Sequence, residues 1–149
     1  MGRTSSIVDA KQPARPKLAR FLLASFKLKN GLIGKGAGKL ALSLGNKIQV
    51  RTMKPLEGKD TCRAHVIVSL TFIGHMAENP DEAILRLEGV YQARYLLPAG
   101  KTLKEVDEWV AVDSSRDLLI SQAYVLAMQH MKQQLDMVGV SHRAVDFSW

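Results

Sequence analysis

The stretch "GLIGKGAGKL", Gly31 to Leu40, holds four glycines and two lysines, a composition suited to cradling phosphate. A loop of the form G-x-x-x-x-G-K-[ST] places its backbone and lysine on the phosphates and its hydroxyl on Mg²⁺. With Gly38 and Lys39 as the end of that form, the opening glycine falls on Ile33 and the hydroxyl on Leu40. The dinucleotide form G-x-G-x-x-G fails at Lys39, where its third glycine belongs. The pattern breaks where the chemistry needs particular atoms, so the stretch reads as a basic loop carrying Lys35 and Lys39.

The other reactive side chains fare no better. His65, His75, His130 and His142 form no H-E-x-x-H and no other metal-ligand spacing. No G-x-S-x-G elbow is present. The single cysteine, Cys62, excludes an intrachain disulfide and a cysteine-based zinc cluster. It opens an apolar strand face, where cysteine behaves as a small hydrophobe. Glu105, Asp107, Glu108 and Asp113 cluster, but no second pair and no apolar niche raises a carboxyl pKa. They read as a solvated helix face. No enzyme, no cofactor and no metal are expected.

A chain of 149 residues that is 46% apolar holds enough material for one domain with a real core. No run of about 18 apolar residues marks a membrane span. The first twenty residues lack the apolar segment of a signal peptide. One cysteine fits a reducing compartment, and a cytoplasmic location is expected. The net charge of +7 is uneven. Residues 1–54 carry 12 Lys and Arg against one acid, Asp9; residues 55–149 carry 9 against 13 acids. The basic front includes Arg3, Lys11, Arg15, Lys17, Arg20, Lys35 and Lys39. Such a front fits an acidic protein, an anionic surface or nucleic acid. Its only aromatics are Phe21 and Phe26, so stacking platforms are lacking and only nonspecific phosphate contact is supported.

Residues 1–17 read as a basic arm, with Pro13 and Pro16 among the cations, and residues 18–149 as the folded domain. "LARFLLASFKLK" and "KLALSLGNKIQVR" each alternate like strands, with Leu40, Leu42 and Leu44 on one face. The clearest alternation is "TCRAHVIVSLTFIG". Cys62, Ala64, Val66, Val68, Leu70 and Phe72 share one face; Arg63, His65, Ser69 and Thr71 share the other. A turn built from Gly74, Asn79, Pro80 and Asp81 follows. Then Leu85, Leu87, Gly89, Tyr91, Ala93 and Tyr95 alternate with Arg86, Glu88, Gln92 and Arg94. The two runs predict an antiparallel hairpin with one apolar and one wet face. After Pro98 and Gly100 the period changes. Thr102 and Glu105 form a capping box for a short helix. Asp113 or Ser114 caps a second helix over about 115–137, ended by Gly139. That helix reads as apolar over most of its girth: Leu118, Val125 and Leu135 point one way, Ile120, Tyr124, Ala127 and Met131 another. Its excess predicts a second subunit as cover.

This order of elements, with several local strings, resembles the SecB family of export chaperones over about Leu18 to Phe147. "FLLASFKLK" resembles the family's first strand. The pair "CRAHVIVSLTFIG" and "AILRLEGVYQARYLL" resembles its central hairpin, with "EGVY" (Glu88 to Tyr91) in the place of "GGIF". "SSRDLL" resembles the helix string "YAREAI", and "AVDF" (Ala144 to Phe147) resembles "PVNFD". Family members are acidic where the front of this chain is basic, which sets it apart from those that hand clients to the SecA motor.

The resemblance implies an α+β fold: an antiparallel four-stranded sheet followed by a short and a long C-terminal helix. It also implies a holdase that binds unfolded or partly folded polypeptide on apolar surface of a homo-oligomer, a dimer or tetramer. Phe72, Tyr91, Tyr95, Met128 and Met131 are then the expected client contacts, and Ile120, Tyr124, Ala127 and Met131 the expected subunit contacts. The alternative is a structural subunit of a virion or nucleoprotein complex whose basic arm contacts nucleic acid or an acidic partner.

Overall fold

The computed structural model describes residues 15–31 and 40–140. Arg3, Lys11, Lys35 and Lys39, most of the glycine-rich stretch and the "AVDF" string lie outside them, as does the arm up to residue 14. Four strands, β1 (Lys17–Asn30), β2 (Leu40–Met53), β3 (Arg63–Met76) and β4 (Asn79–Leu96), form one antiparallel sheet in the order β1-β4-β3-β2. Two helices follow, α1 (Leu103–Val110) and α2 (Asp113–Met137). This is the α+β architecture that the alternation and the change of period predict.

The alternating residues of β3 and β4 sort as their spacing requires. Cys62, Ala64, Val66, Val68, Leu70 and Phe72 are buried, as are Leu85, Leu87, Tyr91, Ala93 and Tyr95 opposite them. Together they form the inner face that α2 covers. The turn between them is tighter than expected. β3 continues through Met76 and β4 begins at Asn79, leaving only Ala77 and Glu78 between strands. Gly74 is therefore a strand residue. A Cβ there would sit 3.0 Å from Leu85 Cβ and 3.2 Å from Leu40, so this glycine serves packing between strands.

Strand β1 departs from simple alternation. Its register against β4 shifts between Leu18 and Arg20 and again between Leu23 and Ser25. Each shift is a bulge that inserts one residue and flips the faces beyond it. Leu18, Phe21, Leu23, Phe26 and Leu28 thereby all pair with inner-face residues of β4. The Phe21 ring stacks on Tyr91 at 5.8 Å, and Phe26 meets His130 edge-on at 5.4 Å. Lys17 and Arg20, placed in and beside the arm by composition, are residues of this strand.

The capping box of α1 forms as expected. Glu105 N donates to Thr102 Oγ1 at 3.2 Å and Thr102 N to the Glu105 carboxylate at 3.2 Å. The bond from the Thr102 backbone, then that from its hydroxyl to Glu105 Oε1 at 3.1 Å, hold the Glu105 carboxyl below its ordinary pKa. Thr102→Ala is expected to destabilise the fold by about 1 kcal/mol, read as a lower urea midpoint at an unchanged slope. The second helix begins earlier than expected. Its N-cap is Val112, without a side-chain hydrogen bond, and Asp113 lies in the first turn. Only Ala111 and Val112 separate the helices, so the cap falls on the linker and Asp113 faces the positive end of the helix dipole. At the other end Gly139 adopts φ +82, and Val140 N donates to Leu135 O at 2.9 Å. That closes α2 in the expected glycine cap.

The buried side of α2 is narrower than its apolar content predicts. Leu119, Ile120, Ala123, Tyr124, Ala127, Met128, Met131 and Leu135 are the buried residues of α2. Their spacing of three and four makes one stripe, and the chain's own sheet covers it. Leu135 belongs to that stripe and not with Leu118 and Val125, which face outward at 49% and 52% exposure.

Candidate functional site

The side chains expected to meet a client, Phe72, Tyr91, Tyr95, Met128 and Met131, are all buried within this chain. So are Ile120, Tyr124, Ala127 and Met131, expected at a subunit contact. Both sets belong to one core between the sheet and α2. Periodicity marks a residue as covered without naming the cover. The large apolar residues exposed among those described are others: Leu23 and Leu28 on the edge strand, Leu56, Leu96, Val112, Leu118, Val125 and Met137.

Two tyrosines tie α2 to the sheet. Tyr95 Oη donates to Leu119 O at 3.1 Å and lies 3.2 Å from Gln122 Oε1. Burial pushes its pKa up to about 12, so it stays a neutral donor. Tyr91 Oη lies 2.6 Å from His130 Nδ1, and burial likewise raises the Tyr91 phenol. His130 is thus a hydrogen-bonded wall of the core. Among the described residues no group of three or more His, Cys, Asp and Glu comes together for a metal ion. Cys62 is buried, with its Sγ 3.4 Å from Lys101 O.

His65 is the one buried polar residue among those described, on the face of β3 away from the helices. Its Nδ1 meets Gln92 Nε2 at 3.2 Å. Burial first, then the charges of Arg94 and Arg63, hold its pKa below the ordinary 6.5. The unfolded chain therefore takes up this proton more readily than the native one. Stability from His65 is full above the unfolded pKa and is lost as pH falls through the lower native value. Melting temperature is expected to drop between about pH 7.5 and pH 5.5, and His65→Gln to flatten part of that drop.

An apolar cleft remains where β4 leaves the sheet. Leu97, Pro98, Val106 and Trp109 form its lining, with Lys101, Glu105 and Glu108 around it, and it encloses about 420 Å³. Its walls follow from local chemistry. Leu97 N donates to Cys62 O at 3.0 Å and Gly100 N to Asp60 O at 3.1 Å, which fixes the exit of β4. Gly100 takes φ +79, a turn that other residues rarely adopt. Thr52 Oγ1 donates to the Asp107 carboxylate and ties α1 to the end of β2. Val106 is buried while Trp109, one turn on, stays half-buried and lines the cleft. A space of this size takes one or two apolar side chains of a peptide, and the mixed charges around it suit a polar backbone. The sequence carried one signal for it. Trp109 stands three residues after Val106 in a helix whose other positions are largely charged, an indole that so short a helix cannot hide.

Among the described residues no helix is long and apolar enough to cross a membrane, which leaves strand-based spanning untouched. No protein-family model matches the chain, and no curated protein matches it. In three dimensions the chain is similar to the SecB-like chaperone Rv1957 of Mycobacterium tuberculosis, solved in complex with a ChAD peptide from the Rv1956 HigA1 antitoxin. The likeness has a TM-score of 0.56 at 11% identity and covers 93% of this chain and 91% of that one. A sheet of four antiparallel strands with two helices after it is thus a SecB-like fold, remote in sequence.

Proposed function

We propose that this protein is a SecB-like holdase that binds non-native polypeptide on apolar surface and releases it without covalent chemistry. The observation that carries the reading is the cleft of Leu97, Val106 and Trp109, open to solvent on a SecB-like fold whose solved neighbour holds a peptide. Holding a chain needs apolar surface, a backbone-friendly rim and a rigid frame, and no acid, base or nucleophile. The half-buried indole supplies area at little entropic cost. An oligomer is part of the proposal. Edge strand β1 offers fourteen residues of backbone on its open side, with Leu23 and Leu28 half-exposed beside it. Such an edge invites pairing with another copy. A cytoplasmic site of action fits a single buried thiol.

The test is aggregation of a chemically denatured enzyme diluted into buffer, followed by light scattering. Near-stoichiometric amounts of this protein are expected to suppress the scattering. No suppression at about tenfold excess of folded protein sinks the reading. Size-exclusion with light scattering gives the oligomer, expected at two or four copies.

A further inference from the structure

Among the described residues no helix or loop lies over the face of the sheet turned away from the helices, and that face gathers cations that lie far apart in sequence. Strand register places Arg20, Arg94, His65 and Arg51 in one row across all four strands. The neighbouring row adds Lys17 and Arg63. At the other end of the face Lys27, Lys29 and Arg86 stand on β1 and β4, and Lys47 flanks the middle of the face from the β2 edge, opposite Ser69. Among the described residues the nine Lys and Arg side chains meet one carboxylate on this face, Glu88, which Arg86 engages at 2.6 Å. Among the described residues no ion pair engages the other eight. The Arg63 Nε and the His65 Nε2 are buried there without a hydrogen-bond partner. Like charges this close repel, so the fold carries a cost that an anionic partner removes.

Between the two basic ends the surface changes character. Leu22, Gln92, Ile67 and Gln49 make one row, and Val90 and Ser69 belong to the next. Leu22, Ile67 and Val90 are half-exposed. Among the described residues no Phe, Tyr or Trp stands on this face, and its one imidazole, His65, is buried, so nucleic-acid bases have no exposed ring to stack on. A partly apolar centre between charged ends is how protein interfaces are built. The ends lie about 27 Å apart, from Arg94 to Arg86 at about 3.4 Å per residue.

We propose that this outer sheet face docks an acidic protein segment, one with apolar residues flanked on both sides by Asp and Glu. The proposal is independent of the holdase reading, because the cleft of Trp109 lies among the helix residues and shares no side chain with this face.

The probe is a fluorescent peptide with a Glu-rich block on each side of a Leu-Ile pair, measured by anisotropy against the full chain. A single-stranded thymidine oligonucleotide of matched charge is the second arm. The peptide is expected to bind, and to weaken about tenfold between 50 and 200 mM salt. The variant Arg20→Glu, Arg51→Glu, Arg94→Glu is expected to lose it by more than tenfold while still suppressing aggregation of a denatured enzyme. Lys27→Gln with Lys29→Gln keeps the test alive if that triple variant does not fold, with a loss of several-fold. Leu22→Ser is expected to weaken the peptide and leave any oligonucleotide contact unchanged. Tighter binding of the oligonucleotide than of the peptide, or peptide affinity unmoved by these substitutions, overturns the proposal. So does absence of peptide binding at 50 mM salt.

Discussion

Gly89→Val is expected to destabilise the protein by about 4 kcal/mol, a lowering of the melting temperature by about 10 °C. Gly89 lies on the inner face of β4 with Phe26 on one side and Leu70 on the other. Two residues on, the Tyr91 ring folds back over it: a Cβ at 89 would lie 2.7 Å from both Tyr91 Cε2 and Tyr91 Oη. The ring cannot yield cheaply. It is 1% exposed, stacked on Phe21 at an interplanar angle of 13° and hydrogen-bonded to His130 on α2. Overpacking alone costs about 1 to 3 kcal/mol. Pushing the ring away also gives up an aromatic pair and a buried hydrogen bond, about 1 kcal/mol each. Two comparisons isolate the cause. Gly89→Ala in a Tyr91→Leu background is expected to cost less than in the native chain, since the atoms it strikes are gone. Gly45→Ala on β2 is expected to be neutral or to stabilise by about 0.5 kcal/mol, because a Cβ there meets nothing within 4 Å. Equal losses at both glycines, from thermal and urea unfolding, would show that strand propensity and not the Tyr91 ring is responsible.

The same ring marks the boundary of what the sequence disclosed. Alternation over Cys62 to Phe72 and over Leu85 to Tyr95 was enough to fix the hairpin and its inner face, because a strand buried on one side has a strict period of two. The capping box at Thr102 and the glycine stop at Gly139 were equally legible, since both depend only on neighbouring residues. Strand β1 was not. Its inner residues run Leu18, Phe21, Leu23, Phe26, Leu28, and two bulges break the period that would have revealed them. A bulge is set by what lies across the ladder, and nothing local announces it. The turn after β3 is tighter than its composition predicts: Gly74 has the chemistry of a turn residue, but the crowding of Leu40 and Leu85 is what excludes a side chain there. The helix misled in a different way. Its apolar residues were identified, but whether the cover for Ile120, Tyr124, Ala127 and Met131 was this sheet or another subunit depends on how α2 is rotated. That rotation is fixed by Tyr95 bonding Leu119 and by Tyr91 bonding His130, contacts 24 and 39 residues apart. For the same reason the expected client contacts fell on the core, and the cleft at Trp109 went unassigned.

Trp109→Ala is expected to weaken the grip on an unfolded, leucine-bearing peptide by about 30-fold, or about 2 kcal/mol, and to lower fold stability by less than that, since the ring packs on the core only in part. The separation of the two effects is the point of the prediction. What anchors α1 is Val106, the capping box at Thr102 and the hydrogen bond from Thr52 to Asp107. None of these involves the indole, which lines the cleft from its half-buried position. Removing the ring takes away the exposed part of a flat wall that a client side chain can lie against. Trp109→Phe should restore most of the affinity, since the site asks for a rigid apolar plate and, among the described residues, the indole N–H donates no hydrogen bond. Val106→Ala reverses the pattern: it opens a cavity beneath α1, so it should lower the urea midpoint first and peptide binding only as a consequence. The difference should reside mainly in the dissociation rate, because neither substitution changes the charges that govern encounter. Stopped-flow displacement of a labelled peptide reads that rate directly. If the Trp109→Ala protein releases peptide no faster than the native chain, client chains are held elsewhere, and the half-exposed row of Leu23 and Leu28 along β1 becomes the surface to examine.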